Sequence, residues 1–165
     1  MTEIILVIND IRSTHNVGAI LRTSEGMGVN KILISGYSPY PELQNDSRLP
    51  HIYNKLTSRI SKTSLGAEKM LLIEYCEDIR AELKKLADQD YEIVSLEQSD
   101  NSIKIMEYIP KEKLVLILGN ELDGVAKEIL EISDKVIEIP MLGKKESYNV
   151  ASSAAIALYH MRFIK

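Results

Sequence analysis

One stretch of this sequence joins an apolar strand directly to a helix of small residues, and it reads Ile139-Pro140-Met141-Leu142-Gly143-Lys144-Lys145-Glu146-Ser147-Tyr148-Asn149-Val150. Pro140 removes one backbone donor from the strand, and Gly143 permits unusual backbone angles. Ser147 and Asn149 can accept hydrogen bonds from the free amides at the start of the following helix. A junction of this kind predicts a ligand pocket built largely from backbone.

Two further motifs follow apolar strands earlier in the chain. The first comes after the predicted strand Ile4–Ile8 and reads Asn16-Val17-Gly18-Ala19-Ile20-Leu21-Arg22-Thr23. The second comes after Leu114–Ile117 and reads Leu118-Gly119-Asn120-Glu121-Leu122-Asp123-Gly124. In this order the three segments resemble motifs one, two and three of the SpoU/TrmH branch of the SPOUT methyltransferases. The resemblance extends from about Ile5 to His160.

The composition fits one domain. The chain has 165 residues, of which 45% are hydrophobic, and a chain of this size buries roughly 70% of the surface that its unfolded form exposes. No stretch approaches the roughly 20 apolar residues of a membrane span, and the start Met1-Thr2-Glu3 lacks the basic region of a signal peptide. We therefore expect a single domain over residues 1–165 that is soluble, cytoplasmic and without a membrane partner.

Charge and cysteine content limit the kinds of site. The net charge of −4 argues against nonspecific nucleic-acid binding, because phosphate contacts need positive charge, so any basic surface must be local. Its candidate residues are Arg12, Arg48, His51, Lys55, Arg59, Lys62, Lys144 and Lys145. They predict either an ordinary solvated surface or an RNA-binding one. The single cysteine, Cys76, excludes an internal disulfide and is interpreted as a small core residue, and the three histidines suggest no metal site.

Apolar segments rich in Ile and Val alternate with helical patterns. Strands are predicted at Ile4–Ile8, Lys31–Ser35, Met70–Tyr75, Tyr91–Leu96, Leu114–Leu118 and Lys135–Ile139, and helices at Asn16–Gly28, 78–88 and Asn149–Phe163. Because the strands are continuously apolar, they predict an α/β fold with a mostly parallel sheet and helices on both faces. The stretch Gly36–Leu49 is irregular and follows the carboxyl end of a strand, so it is predicted to be functional or mobile.

The resemblance adds a feature that no generic argument predicts, because knotted chains are rare. SPOUT domains contain a deep C-terminal trefoil knot, which would here involve the segment from about Lys113 to the end. The knotted loops hold S-adenosylmethionine, and the resemblance assigns the cofactor pocket to Leu96, Gly119, Ile139, Met141, Ser147 and Tyr148. Simple core packing is the alternative for Leu96, Ile139 and Met141. Tyr148 departs from the leucine or methionine that is usual in the family.

The implied reaction is methyl transfer to a ribose 2′-hydroxyl of RNA. The resemblance gives catalytic roles to Asn16, Arg22, Glu121, Ser147 and Asn149. The resemblance makes Arg22 the base. A guanidinium has a pKa above about 12 and ordinarily keeps its proton, so Arg22 could instead bind a neighbouring phosphate and stabilise a developing alkoxide, with phosphate or water accepting the proton. Glu121 could pair with Arg22 or Arg12 or cap a helix. Asn16, Ser147 and Asn149 could equally be helix caps.

The resemblance also implies a homodimer in which each active site uses both subunits. The helix 149–163 would form the interface or pack only in the core. The RNA-binding residues would include Arg12, Arg48, His51, Arg59 and Lys144, and tRNA is favoured over rRNA as the substrate. The alternatives are a noncatalytic RNA-binding or assembly factor on the same fold and a flavodoxin-like small-molecule binder. The second would need a phosphate-binding loop after Ile8, and residues 9–15 contain no glycine.

Overall fold

Seven strands form one sheet in the computed structural model, which describes residues 2–164; Met1 and Lys165 lie outside the described part. The strands are β1 (Glu3–Asn9), β2 (Lys31–Ser35), β3 (Ile73–Cys76), β4 (Glu92–Leu96), β5 (Ile103–Lys104), β6 (Lys113–Leu118) and β7 (Lys135–Glu138). They lie in the order β3-β2-β1-β6-β4-β7-β5. Each neighbouring pair is parallel. The predicted parallel sheet is confirmed.

Helices cover both faces of this sheet. They are α1 (Thr14–Gly26), α2 (Pro50–Ser64), α3 (Ile79–Ala87), α4 (Lys127–Leu130) and α5 (Val150–Phe163). Successive side chains of a strand point to opposite faces, so Ile4, Leu6 and Ile8 of β1 join a hydrophobic cluster with residues of α1, α2 and α5. Ile5 and Val7 join a second cluster with residues of α3 and α4. Both clusters lie against the central strands.

Differences from the predicted elements are small at the ends of helices and larger at the sheet edge. α1 begins two residues before its predicted start because its N-cap is Ser13, whose side chain accepts from the backbone N–H of Asn16 at 3.2 Å. β3 begins at Ile73, not Met70, whose side chain is 75% exposed. Cys76 ends this edge strand half-buried and outside both clusters, so its interpretation as a core residue is wrong.

α2 is not predicted from the sequence, because few apolar residues mark its inner side. Its position is set by a close approach to α1 at Gly18. A Cβ added there would lie 2.1 Å from Thr63 Oγ1 and 2.4 Å from the backbone carbonyl oxygen of Ile60, so glycine is required for the two helices to pack at this distance. Pro50 supplies a φ angle that suits the first turn of α2.

The long loop predicted at Gly36–Leu49 is confirmed, and its own side chains hold it in place. The Arg48 guanidinium pairs with the Asp46 carboxylate and donates to the backbone carbonyls of Tyr40 and Pro41. The hydrogen bonds from this guanidinium hold the pKa of Asp46 below its usual value. Arg48 therefore fixes the loop, and the RNA contact predicted for it stays a prediction.

The last two helices lie on opposite faces of the sheet, since α4 contributes to the second hydrophobic cluster and α5 to the first. β7 lies beyond β4, away from β6, and α5 then returns to pack against α1. The order of the strands is consistent with the SPOUT fold and with its knot, and the knot itself stays a prediction.

Candidate active site

A cleft of about 230 Å³ opens at the carboxyl ends of β4, β6 and β7, beside the start of α5. At this edge of a parallel sheet, strand-end amides and carbonyls are available to a ligand. Five of the six residues predicted to bind a cofactor belong to its lining, namely Leu96, Gly119, Ile139, Ser147 and Tyr148. The sixth, Met141, is half-buried and lies outside the lining.

Gly119 shapes one wall of the cleft. A Cβ added to it would lie 2.3 Å from the carbonyl group of Gly124 and 2.4 Å from the backbone nitrogen of Val125. The loop after β6 folds back at this point, where Asn120 and Gly124 exchange two backbone hydrogen bonds of 2.9 and 3.0 Å. The space beside Gly119 therefore admits backbone of the same loop, and a larger residue would displace that loop instead of meeting a ligand directly.

Three side chains, one from each sequence motif, form a hydrogen-bonded chain at the rim of the cleft. Asn16 Nδ2 donates to Glu121 Oε1 at 3.0 Å. Asn149 Nδ2 donates to Asn16 Oδ1 at 3.2 Å. Asn149 also accepts from the backbone N–H of Ala151 at 2.9 Å, so it caps α5. Segments more than a hundred residues apart in sequence thus meet in one network.

Glu121 also holds the loop that leads into α1. Its carboxylate accepts from the backbone N–H of Arg12 at 3.2 Å and from that of Ser13 at 3.4 Å. Burial opposes ionisation of Glu121, but the hydrogen bonds from Asn16 and from the backbone outweigh it and hold the pKa of Glu121 below its usual value. Within residues 2–164, Glu121 forms no salt bridge with Arg12 or Arg22, so the ion pair considered from the sequence is replaced by these hydrogen bonds.

The structure shows which of the residues considered as helix caps form caps. The cap of α1 is Ser13, so Asn16 is free to bridge to Glu121 and its predicted capping role is wrong. The cap of α5 is Asn149 alone, while Ser147 is exposed and lines the cleft. Of the residues predicted to be catalytic, Asn16, Glu121, Ser147 and Asn149 are therefore gathered at one place.

Asn120 has a role that the sequence pattern does not predict. Its Nδ2 donates to the backbone carbonyl of Asp10 at 2.9 Å and to the hydroxyl of Tyr37. Its Oδ1 accepts from the backbone N–H groups of Leu122 and Asp123. An asparagine after a strand is a signal for such a local turn, but its two distant partners depend on tertiary structure.

Three acidic side chains line the cleft. Glu97, Glu121 and Glu138 belong to its lining, and none of the lining residues in the described part of the chain is a lysine or an arginine. Carboxylates at short range repel a phosphate and attract a cation. The cleft therefore suits a ligand that is positively charged and lacks phosphate, which argues against the flavodoxin-like alternative.

Known proteins match this chain over nearly its whole length. Residues 3–159 match the SpoU rRNA Methylase family. The chain belongs to this family. A tRNA (guanosine(18)-2′-O)-methyltransferase of Aquifex aeolicus is 30% identical over 157 residues, which are 95% of this chain and 67% of that protein. A 23S rRNA (guanosine-2′-O-)-methyltransferase of Xylella fastidiosa is 29% identical and covers 94% of this chain, which spans 57% of that relative.

The fold of this SpoU family member agrees with a solved relative. The crystal structure of the A. aeolicus TrmH/SpoU tRNA modifying enzyme matches 98% of the chain with a TM-score of 0.81 and 28% identity, and 75% of that enzyme is covered. The family indicated by the three motifs and the fold class indicated by the apolar strands are both confirmed.

Arg22 of this SpoU family chain lies apart from the other predicted catalytic residues. Val17, Ile20 and Leu21 are buried on the inner side of α1, while the side chain of Arg22 is exposed and outside the lining of the cleft. The structure of one chain therefore does not bring Arg22 to the network formed by Asn16.

The exposed side of α2 carries a basic stripe, which we define as His51, Lys55, Arg59 and Lys62. Their spacings of four, four and three residues place them on one helix face. No acidic residue occurs within α2. Two other predicted RNA-binding residues, Arg12 and Lys144, are also exposed, and the backbone of Arg12 contacts Glu121 at the cleft.

Two kinds of feature are absent from residues 2–164. No group of three or more His, Cys, Asp or Glu residues in this range is placed to hold a metal ion. None of the helices described in this range is both long and apolar enough to cross a membrane.

Proposed function

We propose that this chain transfers a methyl group from S-adenosylmethionine to a ribose 2′-hydroxyl of RNA. The observation that carries the proposal is the network of Asn16, Glu121 and Asn149, which joins the three family motifs at the rim of a cleft lined by carboxylates. Two relatives that cover 94–95% of the chain are named as 2′-O-methyltransferases, one for tRNA and one for rRNA. We place tRNA before rRNA, as the resemblance does, and test both.

The lining of the cleft fits this cofactor. Leu96, Leu118 and Ile139 offer an apolar surface for adenine, and the strand ends beside them offer backbone donors and acceptors. The carboxylates of Glu97 and Glu138 offer negative charge for a positively charged ligand. When bound, S-adenosylmethionine supplies a methyl group that its sulfonium sulfur activates for transfer.

The residues of the chain would act mainly by positioning. Glu121 fixes the loop after β1 against the loop after β6, and Asn149 fixes the start of α5 to the same network. Transfer needs the hydroxyl oxygen, the methyl carbon and the sulfur in line, and holding reactants in such a geometry removes a large part of a reaction barrier. A rigid rim is therefore what this reaction requires.

We further propose that the enzyme is a homodimer in which each cleft receives Arg22 from the other copy. α5 presents three exposed apolar side chains at spacings of three and four residues: Ile156 is 39%, Tyr159 53% and Phe163 60% exposed. An unpartnered apolar face of this kind favours an interface. Because a guanidinium keeps its proton, Arg22 would hold the phosphate beside the target ribose and stabilise negative charge on the reacting oxygen.

The basic stripe on α2, with Arg12 and Lys144, would bind the RNA backbone. None of these exposed cations belongs to the lining of the acidic cleft, and Arg12 lies at its rim. Affinity for RNA should then fall steeply as salt concentration rises, because bound phosphates release counterions.

The experiment that tests the reaction is transfer of labelled methyl groups from S-adenosylmethionine to separate pools of unmodified tRNA and rRNA. Nuclease digestion and mass spectrometry of the nucleosides identify the product. A 2′-O-methylated nucleoside in one pool supports the proposal and names the substrate class. Binding of RNA without transfer, by folded protein, would favour the noncatalytic RNA-binding alternative.

A charge reversal tests the site of the cofactor. Glu138→Lys places a positive charge in the cleft and should weaken S-adenosylmethionine binding in calorimetry, with a smaller effect on S-adenosylhomocysteine, which lacks the sulfonium charge. Glu128→Lys is the matched control, because Glu128 lies exposed on α4 outside the cleft. Equal losses for the two ligands in Glu138→Lys would contradict the electrostatic argument.

A further inference from the structure

Tyr37 is an exposed aromatic residue that the structure anchors beside the cleft. Its side chain is 55% exposed. Its backbone N–H nevertheless donates to Asp10 Oδ1 at 3.1 Å, and its hydroxyl accepts from Asn120 Nδ2. Fixing a side chain has an entropic cost, and little of this ring is buried to offset it. Such a ring is suited to contact a molecule outside the chain.

The loops after β1 and β2 both have left-handed backbone where they meet beside Tyr37. Gly36 has φ +63°, and a Cβ added to it would lie 1.9 Å from Asp10 Oδ1. Asp10 itself has φ +55°, a left-handed conformation that non-glycine residues rarely adopt. Strained residues of this kind cluster at functional sites. The loops after β1 and β2 are thus locked together in the conformation that presents Tyr37.

Tyr37 and Arg12 form a pair at the rim of the cleft. The Arg12 guanidinium carbon lies over the Tyr37 ring, 5.8 Å from its centroid. Each member is anchored by a residue of the cleft lining: Asn120 donates to the Tyr37 hydroxyl, and Glu121 accepts from the Arg12 backbone N–H. The pair is therefore contiguous with the candidate active site without being part of its cavity.

The neighbouring Tyr40, unlike Tyr37, has its ring packed between other side chains. Tyr40 has Tyr75 stacked on one side, with ring centroids 4.7 Å apart, and the Arg48 guanidinium 3.5 Å from its ring centroid. Its ring is used inside the loop. Tyr37 has no stacked aromatic partner within residues 2–164, and the Arg12 guanidinium lies 5.8 Å from its centroid on one side, so the other face of the ring is available to a ligand.

We propose that Tyr37 stacks on an unpaired nucleobase of the RNA substrate, while Arg12 binds an adjacent phosphate, and that together they set the target ribose at the cleft. This inference rests on the proposed function. Aromatic rings beside basic groups are the usual means of holding single-stranded RNA, because every base has a stacking face and every linkage a charge. The target nucleotide accordingly lies in a loop or another unpaired region.

Two substitutions at Tyr37 test the stacking. With the RNA that the wild-type protein methylates, Tyr37→Leu should raise KM for RNA roughly 5- to 100-fold, the effect of losing one base stack. Tyr37→Phe keeps the stacking ring, although it loses the hydroxyl that accepts from Asn120, and should restore part of the affinity. Calorimetry with S-adenosylmethionine should give the same Kd for all three proteins, since Tyr37 lies outside the cleft lining. Equal KM values for Tyr37→Leu and Tyr37→Phe would overturn the inference.

Fluorescence gives a direct measurement. The chain has no tryptophan, so Tyr37→Trp introduces a single reporter that the same RNA should quench. Met70→Trp is the control, because Met70 is 75% exposed and precedes the amino end of β3, whereas Tyr37 follows the carboxyl end of the neighbouring strand β2. If anisotropy shows that the Tyr37→Trp protein binds the RNA but its tryptophan fluorescence is not quenched, the stacking inference is overturned and the proposed function is not. Absence of methyl transfer by the wild-type protein would overturn the proposed function, and the stacking inference with it.

Discussion

Glu121→Gln tests whether one carboxylate holds the three motifs together. Glutamine has the same shape but one acceptor oxygen, and its NH₂ group cannot accept from the Asn16 amide or from the backbone N–H groups of Arg12 and Ser13. At least one of the three hydrogen bonds that the carboxylate accepts is lost, and the new NH₂ group then faces another N–H donor. A hydrogen bond to a charged group contributes about 1.5–3 kcal/mol. Because Glu121 is only half-buried, we expect a loss of about 1–2 kcal/mol in the free energy of unfolding, or about 2–8 °C in Tm.

The effect should depend on pH with a definite sign. The pKa of Glu121 is lowered in the folded protein, so ionised Glu121 stabilises the fold fully above the ordinary glutamate pKa of about 4.3. That stabilisation is lost as the pH falls through the lower folded-state pKa. The difference between Glu121→Gln and wild type should therefore be largest near neutral pH and should shrink on acidification below about pH 4.

Urea denaturation followed by circular dichroism, at pH 7 and at steps down to about pH 4 and below, measures this difference. Glu128→Gln, at an exposed position of α4, is the control for loss of one negative charge. Combining Glu121→Gln with Asn16→Ala should cost less than the sum of the single changes, because the two side chains share a hydrogen bond. Equal midpoints for Glu121→Gln and wild type at pH 7, or a difference independent of pH, would refute the role given to Glu121.

Three other outcomes are expected. Gly18→Ala should lower the free energy of unfolding by about 1–3 kcal/mol in urea denaturation, because its Cβ would meet the backbone of Ile60 and separate α1 from α2; an unchanged midpoint would contradict this packing. Arg22→Ala should reduce methyl transfer at least about 100-fold without changing the calorimetric Kd for S-adenosylmethionine or the Tm, and retained turnover would exclude Arg22 from the reaction. Tyr159→Glu should convert a dimer into a folded monomer in analytical ultracentrifugation, whereas a dimer that persists would place the interface elsewhere.

Local signals were sufficient for much of the fold. The continuously apolar β1 and β6 predicted strands covered on both faces, because every apolar side chain of these strands is buried on one side of the sheet or the other. Asn149 before a run of small residues predicted the start of α5, since a cap acts within its own turn. Where the signal is weak, prediction failed: α2 has few buried apolar residues, and β5 has only two residues.

The sequence by itself thus determined six of the seven strands, the start of α5 and the family to which the chain belongs, because these depend on residue type and short spacing. Tertiary structure alone decided which groups these side chains contact. Arg48 binds backbone carbonyls of its own loop, and Glu121 accepts hydrogen bonds from Asn16 and from the backbone instead of forming an ion pair. Backbone of the loop after β6 fills the space beside Gly119. Hydrogen bonds and close packing act over a few ångströms in space, and the residues that they join are up to 160 positions apart in the chain.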